Sequence, residues 1–164
     1  MKKLFLIAVM AVACFGSITA QSTDKNLIGV WLMESMQWDG EKKTICGKET
    51  NYVQFKYYGA DGEYACVEIG RNKKGQFVIL PHEYGKYSYK NGAYSEMGRP
   101  AVDPKDFVIV DKNTIHGRWL TRNDVWKKAN MPKKLVDYIL NYCKIVKQGP
   151  SAEIQNLIQK NMFE

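Results

Sequence analysis

The chain is poor in the residues that most readily build reactive centres. It has two histidines, His82 and His116, four cysteines and five prolines in 164 residues. Two separated histidines make no metal-ligand cluster. No cysteine stands in a Cys-x-x-Cys pair, so neither a zinc ribbon nor a dithiol redox centre has support in the sequence. A Gly-x-Ser-x-Gly elbow, a phosphate-binding glycine loop and a dinucleotide-binding glycine pattern are all missing. Past the N-terminus no apolar run reaches the roughly 20 residues of a membrane-spanning helix. What remains is 18.8 kDa of globular composition, 45% hydrophobic and 25% charged, which suits one domain. The expectation is therefore a protein with no cofactor, no metal and no catalytic residue set.

The first twenty residues read separately. Lys2 and Lys3 precede an apolar stretch over 4–15, and Ser17, Thr19 and Ala20 supply small residues before Gln21. This pattern predicts a secretory signal peptide over 1–20, cleaved after Ala20. The alternative is a lipoprotein signal with Cys14 as the lipidated residue, although Ala11 stands where such signals usually carry Leu. Cleavage leaves 21–164 as a single domain of 144 residues, with a charge of +5 instead of +7 because Lys2 and Lys3 depart. The address is then periplasmic or secreted, or membrane-anchored if Cys14 is lipidated, and nucleic acid is excluded as a partner. Three cysteines remain: Cys46, Cys66 and Cys143. The odd count leaves at least one thiol unpaired within the chain. Cys46–Cys66 is the only plausible disulfide, and Cys143 is expected to be a buried free thiol.

Up to Thr121 the pattern is that of a β protein. Asp39-Gly40, Asp61-Gly62, Lys74-Gly75, Asn91-Gly92 and Lys112-Asn113 fall between β-prone runs, and Asp-Gly and Asn-Gly supply the positive φ of tight hairpin turns. About eight strands are predicted: 27–38, 51–58, 63–70, 76–80, 84–90, 93–97, 107–110 and 114–120. Links this short make an antiparallel meander and leave no room for crossover helices. Within 51–58, Val53, Phe55 and Tyr57 share one face, with Gln54 and Lys56 on the other. Within 63–70, Ala65, Val67 and Ile69 oppose Cys66 and Glu68. The first face of each is expected to be core and the second solvent-facing. A sheet with one apolar face covers it by closing into a barrel or folding into a sandwich.

After Thr121 the period changes. Pro132 opens an amphipathic helix whose apolar stripe carries Leu135, Ile139, Tyr142 and Val146, with Val136 and Cys143 alongside. Gly149-Pro150 ends it, and Ser151 caps a second short helix with Ile154, Leu157 and Ile158. The expected layout is a barrel over about 26–130 and a helical tail over about 132–162.

The candidate functional side chains are aromatic rather than catalytic. Phe55, Tyr57, Tyr87 and Tyr89 are the expected lining of a cavity, their rings and hydroxyls suiting a small amphipathic ligand. Glu34, Glu63, Glu68, Glu83 and Glu96 have no partner set by spacing and read as solvated strand residues. Lys127, Lys128, Lys133 and Lys134 cluster around Pro132 and read as a solvated basic face.

Gly29-Val30-Trp31, near the start of such a β chain, resembles the opening strand of the lipocalins and wider calycins. Tyr57-Tyr58-Gly59-Ala60-Asp61-Gly62 also resembles a hairpin of small bacterial lipocalin-like domains. The resemblance implies an eight-stranded up-and-down barrel with Trp31 at its closed end. It further implies that a basic residue of the last strand lies over the Trp31 ring, a role that falls to Arg118 in Ile115-His116-Gly117-Arg118-Trp119. The expected function is an exported, monomeric carrier of a small apolar or amphipathic molecule. The alternatives are a filled barrel serving as a protein- or glycan-interaction module, or a small-barrel isomerase. Intact mass of protein exported by a Gram-negative host is expected to place the mature N-terminus at Gln21; a lipid-modified Cys14 would replace that assignment.

Overall fold

The computed structural model describes residues 24–145 and 149–164, so the leader and Cys14 lie outside the described residues. Nine strands precede the helices: β1 Gly29–Trp38, β2 Thr44–Ile45, β3 Tyr52–Tyr58, β4 Glu63–Arg71, β5 Phe77–Lys90, β6 Ala93–Glu96, β7 Phe107–Asp111, β8 Thr114–Trp119 and β9 Arg122–Ala129. Helices α1 Lys133–Ile145 and α2 Ala152–Ile158 follow, and α2 runs into a π-helical turn, Gln159–Phe163. Ser151 caps α2 as expected, its hydroxyl accepting from the Ile154 N–H.

Eight strands form one path in the order β6-β5-β4-β3-β1-β9-β8-β7, and β2 adds only two residues beside β1. Every pairing is antiparallel. The first strand therefore neighbours the last, and the meander curls into a nearly closed barrel. The remaining seam lies between β6 and β7. There the Val102 N–H donates to the Tyr94 carbonyl at 2.7 Å, and the Tyr94 ring stacks on Phe107 with centroids 3.9 Å apart. Asn91 and Gly92, both with positive φ (53° and 81°), make the tight β5–β6 turn.

Two strands differ from expectation. The final strand, β9, lies within the expected barrel but is not among the eight predicted strands, because its inward side chains include the charged Asp124 and mask the apolar alternation. The two runs 76–80 and 84–90 are a single strand, β5, continuous through Pro81-His82-Glu83. The pairing with β4 slips there, Val67 facing Pro81 and Cys66 facing Glu83, so His82 is the extra residue of a bulge.

The sheet has two buried faces. Inside the barrel sit Trp31, Met33, Tyr58, Tyr64, Cys66, Tyr87, Phe107, Ile115 and Trp126. On the outside, Val30, Phe55, Val67, Ile69, Phe77 and Ile79 pack against Leu135 and Ile139 of α1 and Ile154 and Ile158 of α2. The apolar faces read from β3 and β4 are thus the outer faces, roofed by the helices. The faces carrying Gln54, Lys56 and Cys66 turn into the barrel rather than to solvent, because a roofed sheet buries both sides.

Trp31 is fully buried and its indole N–H donates to the Leu27 carbonyl at 2.8 Å. The cation over its ring is Lys128 of β9, with Nζ 5.3 Å from the centroid, and not Arg118. Gly29 has φ +133°, and a side-chain carbon there would come within 2.9 Å of Lys128 Cε. The glycine of the Gly-x-Trp pattern therefore leaves room for the lysine that crosses the tryptophan. Arg118 lies in β8, the penultimate strand, level with Asn123 and Gln37. Six residues of strand separate that level from Trp31, about 20 Å at roughly 3.3 Å per residue. Arg118 instead makes a bidentate ion pair with Asp39 and donates to the Asn123 side chain at 2.9 Å.

Trp31→Ala is expected to destabilise the protein by about 3–5 kcal/mol, as emptying a large core site does. Lys128→Ala should cost about 0.5–2 kcal/mol. In urea unfolding, the Trp31/Lys128 double mutant should lose less than the sum of the two, whereas Trp31 and Arg118 substitutions should add.

Candidate functional site

The alternation of β3 sends Lys56 into the middle of the barrel. Its stem is enclosed by protein, and its ammonium faces the space between β3, β6 and β9. Nζ lies 4.8 Å from the Trp126 ring centroid and 5.9 Å from that of Tyr64. Among the described residues Nζ has no hydrogen bond and no ion pair, yet it is not sealed from solvent-sized space. It reaches a cavity of about 250 Å³ bordered by Gln54, Tyr64, Glu83, Trp119, Arg122 and Trp126. A second cavity of about 120 Å³ extends from Lys56 toward the closed end, between Trp31, Tyr58, Tyr94, Phe107 and Ile115.

The carboxylates around this cation are engaged elsewhere. Asp124 is 5% exposed and holds Arg122 through two contacts, 2.7 Å to Nε and 2.9 Å to an η nitrogen. Burial raises the Asp124 carboxyl above its ordinary value, and Arg122 opposes that only in part. Glu96 accepts from the Tyr94 hydroxyl and lies 3.7 Å from Arg99. Glu83 pairs with Arg99 at 2.5 Å and accepts from Tyr64 at 3.2 Å. The Tyr58 and Tyr94 hydroxyls are 3.1 Å apart. This array is satisfied internally except at Lys56, whose ammonium has ring faces beside it but no hydrogen-bond acceptor among the described residues.

Burial opposes the charge on Lys56, but the surrounding groups outweigh it and its pKa is raised. Tyr58 is pushed up to about 12, chiefly by burial, and Cys66 is raised by burial as well. Both are neutral at pH 7, so the charges that keep the ammonium protonated are those of Glu96 and Asp124. Glu96 moves the other way: burial would raise it, but Lys56, the Tyr94 hydroxyl and Arg99 lower it overall.

The residues expected to line a cavity are dispersed. Phe55 is fully buried on the outer face, and Tyr57 packs against the same helix-side cluster. Tyr87 is inside the barrel, donating to the Gly59 carbonyl at 2.9 Å, and Tyr89 packs on the interior cluster beside Phe107. None of the four borders either cavity. Glu83 and Glu96, read as solvated, belong to the interior. The signal that could have found them is the parity of β3: Gln54, Lys56 and Tyr58 alternate with an apolar face that the amphipathic helices need. His82 lies beside Glu68 at 3.6 Å, and His116 is exposed on β8. No group of three metal-ligating side chains occurs among the described residues. Cys46, Cys66 and Cys143 are free thiols. Cys143 is only partly buried, and desolvation pushes both it and Cys46 up to about 11.

Glu96 gives the site a pH signature. Its folded value lies below the ordinary 4.5, so its contribution to stability is present above that pH. The contribution is lost as pH falls through the folded value. Wild-type protein should therefore exceed Glu96→Gln in urea midpoint at pH 7, and the gap should narrow as the pH falls below 4.5.

The sequence matches no family model and no curated protein. Among solved structures, a lipocalin-like protein from Bacteroides uniformis ATCC 8492 is similar over 63% of this chain and 98% of that one, with 15% identity and a TM-score of 0.40. By its own strand order, this chain folds as a nearly closed, eight-stranded antiparallel barrel followed by C-terminal helices.

Proposed function

We propose that this is an exported, lipocalin-like binding protein whose barrel takes one small, mostly flat molecule carrying an acidic oxygen. The observation that supports this reading is Lys56, a protonated lysine inside the barrel with no partner among the described residues and with indole and phenol rings beside it. A carboxylate or similar oxygen on the ligand would accept from Nζ, and a planar body would lie against Trp126 in the main cavity. The cavity's 250 Å³ is just under the roughly 300–1,000 Å³ usual for ligand sites. That size favours a compact ligand over a long acyl chain, and the charged lining narrows the expected apolar or amphipathic ligand to an amphipathic acid. The raised pKa of Lys56 also argues for binding rather than covalent chemistry, since an ammonium is no Schiff-base nucleophile. Export is supported by the charged, apolar and small-residue sequence of the first twenty positions.

A charge-assisted hydrogen bond is worth about 1.5–3 kcal/mol, or about 10- to 150-fold in affinity. Small aromatic carboxylates should therefore bind at least tenfold more tightly than amides of the same shape, read by calorimetry or by chemical shifts of cavity residues. Lys56→Met should abolish that preference. Equal binding of acids and amides to the wild-type protein would remove this reading.

A further inference from the structure

The two chain reversals at one end of the barrel are tied together. The Asp39 N–H, just past β1, donates to the Thr121 carbonyl between β8 and β9 at 2.8 Å. The Arg118–Asp39 ion pair at 2.6 Å locks the same two segments. This joint holds three large apolar side chains out in solvent: Trp38, Trp119 and Leu120 are 40%, 54% and 78% exposed. Leu120 has φ +55°, a left-handed conformation that Gly or Asn adopts readily and a bulky side chain does not. The chain thus keeps a leucine where turn chemistry favours glycine or asparagine, and points it at water. Observed backbone strain of this kind is a pointer to function.

Three exposed side chains make a patch on the order of a few hundred Å² at most, whereas a stable protein interface covers roughly 800 Å² on each partner. It is too small for a second copy of this chain to cover it stably. Its surroundings carry more lysines than carboxylates: Asp39 is paired with Arg118, and Glu41 is the exposed acid beside the lysines. Lys42 and Lys43 follow the β1 end, and Lys73 and Lys74 sit in the β4–β5 turn, which the register places at the same end of the barrel. All four are exposed and none forms an ion pair with a described residue. Indole rings beside an apolar tip, flanked by lysines, match the chemistry of an anionic lipid–water boundary.

We propose that this end of the barrel docks on anionic lipid surfaces, with Leu120 and Trp119 entering the interface and the flanking lysines facing the headgroups. Trp119 also borders both cavities, so docking would present the barrel mouth to the membrane. The inference does not depend on which ligand the barrel takes, or on whether it takes one.

The test uses the chain from Gln21 onward, because the apolar leader would itself partition into lipid and the whole described fold lies beyond it. Co-sedimentation with phosphatidylglycerol vesicles is expected, at least tenfold stronger than with phosphatidylcholine and weakened by salt. Tryptophan emission should shift to the blue on binding. Leu120→Asn, whose side chain suits the left-handed backbone, should keep the thermal melt and lose at least fivefold in vesicle affinity. Lys73→Glu with Lys74→Glu should weaken binding to the anionic vesicles only. Failure to bind anionic vesicles, or binding untouched by Leu120→Asn, would overturn the proposal. So would a concentration-dependent dimer dispersed by Leu120→Asn, which would assign the tip to a second copy. Binding of small acids in solution is read separately and is expected to survive Leu120→Asn.

Discussion

Everything in this molecule depends on strands β3, β4 and β5 being buried on both faces. A sheet edge-closed into a barrel hides its inner face by curvature alone, and the usual outer face then meets water. Here the outer face of these strands is itself apolar, through Phe55, Val67, Ile69, Phe77 and Ile79. It must be roofed, and α1 and α2 supply the roof. The helices are secured at their margins by polar contacts as well as by packing. Lys144 meets Glu63 at 2.7 Å, Tyr84 donates to the same carboxylate oxygen, and the Gln155 side chain pairs with both the N–H and the carbonyl of Phe77. The tail is therefore part of the core and not an appendage.

Roofing the outside has a consequence inside. With the helix-facing positions taking the apolar side chains of β3 and β4, the inward positions are free to be polar. Lys56, Tyr58, Tyr64 and Cys66 occupy them, and Glu83, Glu96 and Asp124 come in from β5, β6 and β9. Buried charge is tolerable only when paired and hydrogen-bonded. Asp124 meets that condition through Arg122, and Glu83 and Glu96 meet it through Arg99 and the tyrosines. Lys56 meets it only at a distance, through the field of two carboxylates and the faces of two rings. That asymmetry makes the interior a site as well as a core.

The two ends of the barrel are built for different work. At one end Leu27, Trp31 and Lys128 close the interior with a buried indole, a bonded carbonyl and a lysine side chain that passes close over Gly29. At the other, Arg118 and Asp39 brace two chain reversals and leave large apolar groups in solvent. The same pairing of β1 with β9 serves both ends, since it brings Lys128 over Trp31 and sets Trp38 opposite Arg122.

Much of this was legible in order along the chain. Asp-Gly and Asn-Gly turns separated the strands, short links required an antiparallel meander, and the 3.6-residue stripe after Pro132 marked α1. These are local signals, set by backbone conformation and side-chain period. The sequence by itself also showed no histidine or cysteine pair at metal-ligand or dithiol spacing. Only the tertiary structure decided which face of each strand was the inside. Period-two alternation separates two faces but does not name them, and Phe55 on a roofed outer face reads the same as Phe55 on a barrel lining. For the same reason Lys56 read as solvent-facing and β9 was not recognised as a strand. An inward charge is recognisable only from the partners that surround it, and Glu96, Asp124 and Trp126 come from strands 40 to 70 residues further along the chain. The exchange of Arg118 for Lys128 over Trp31 has the same origin. Which basic residue crosses the ring is fixed by strand register, and register is set by the closure of the whole barrel.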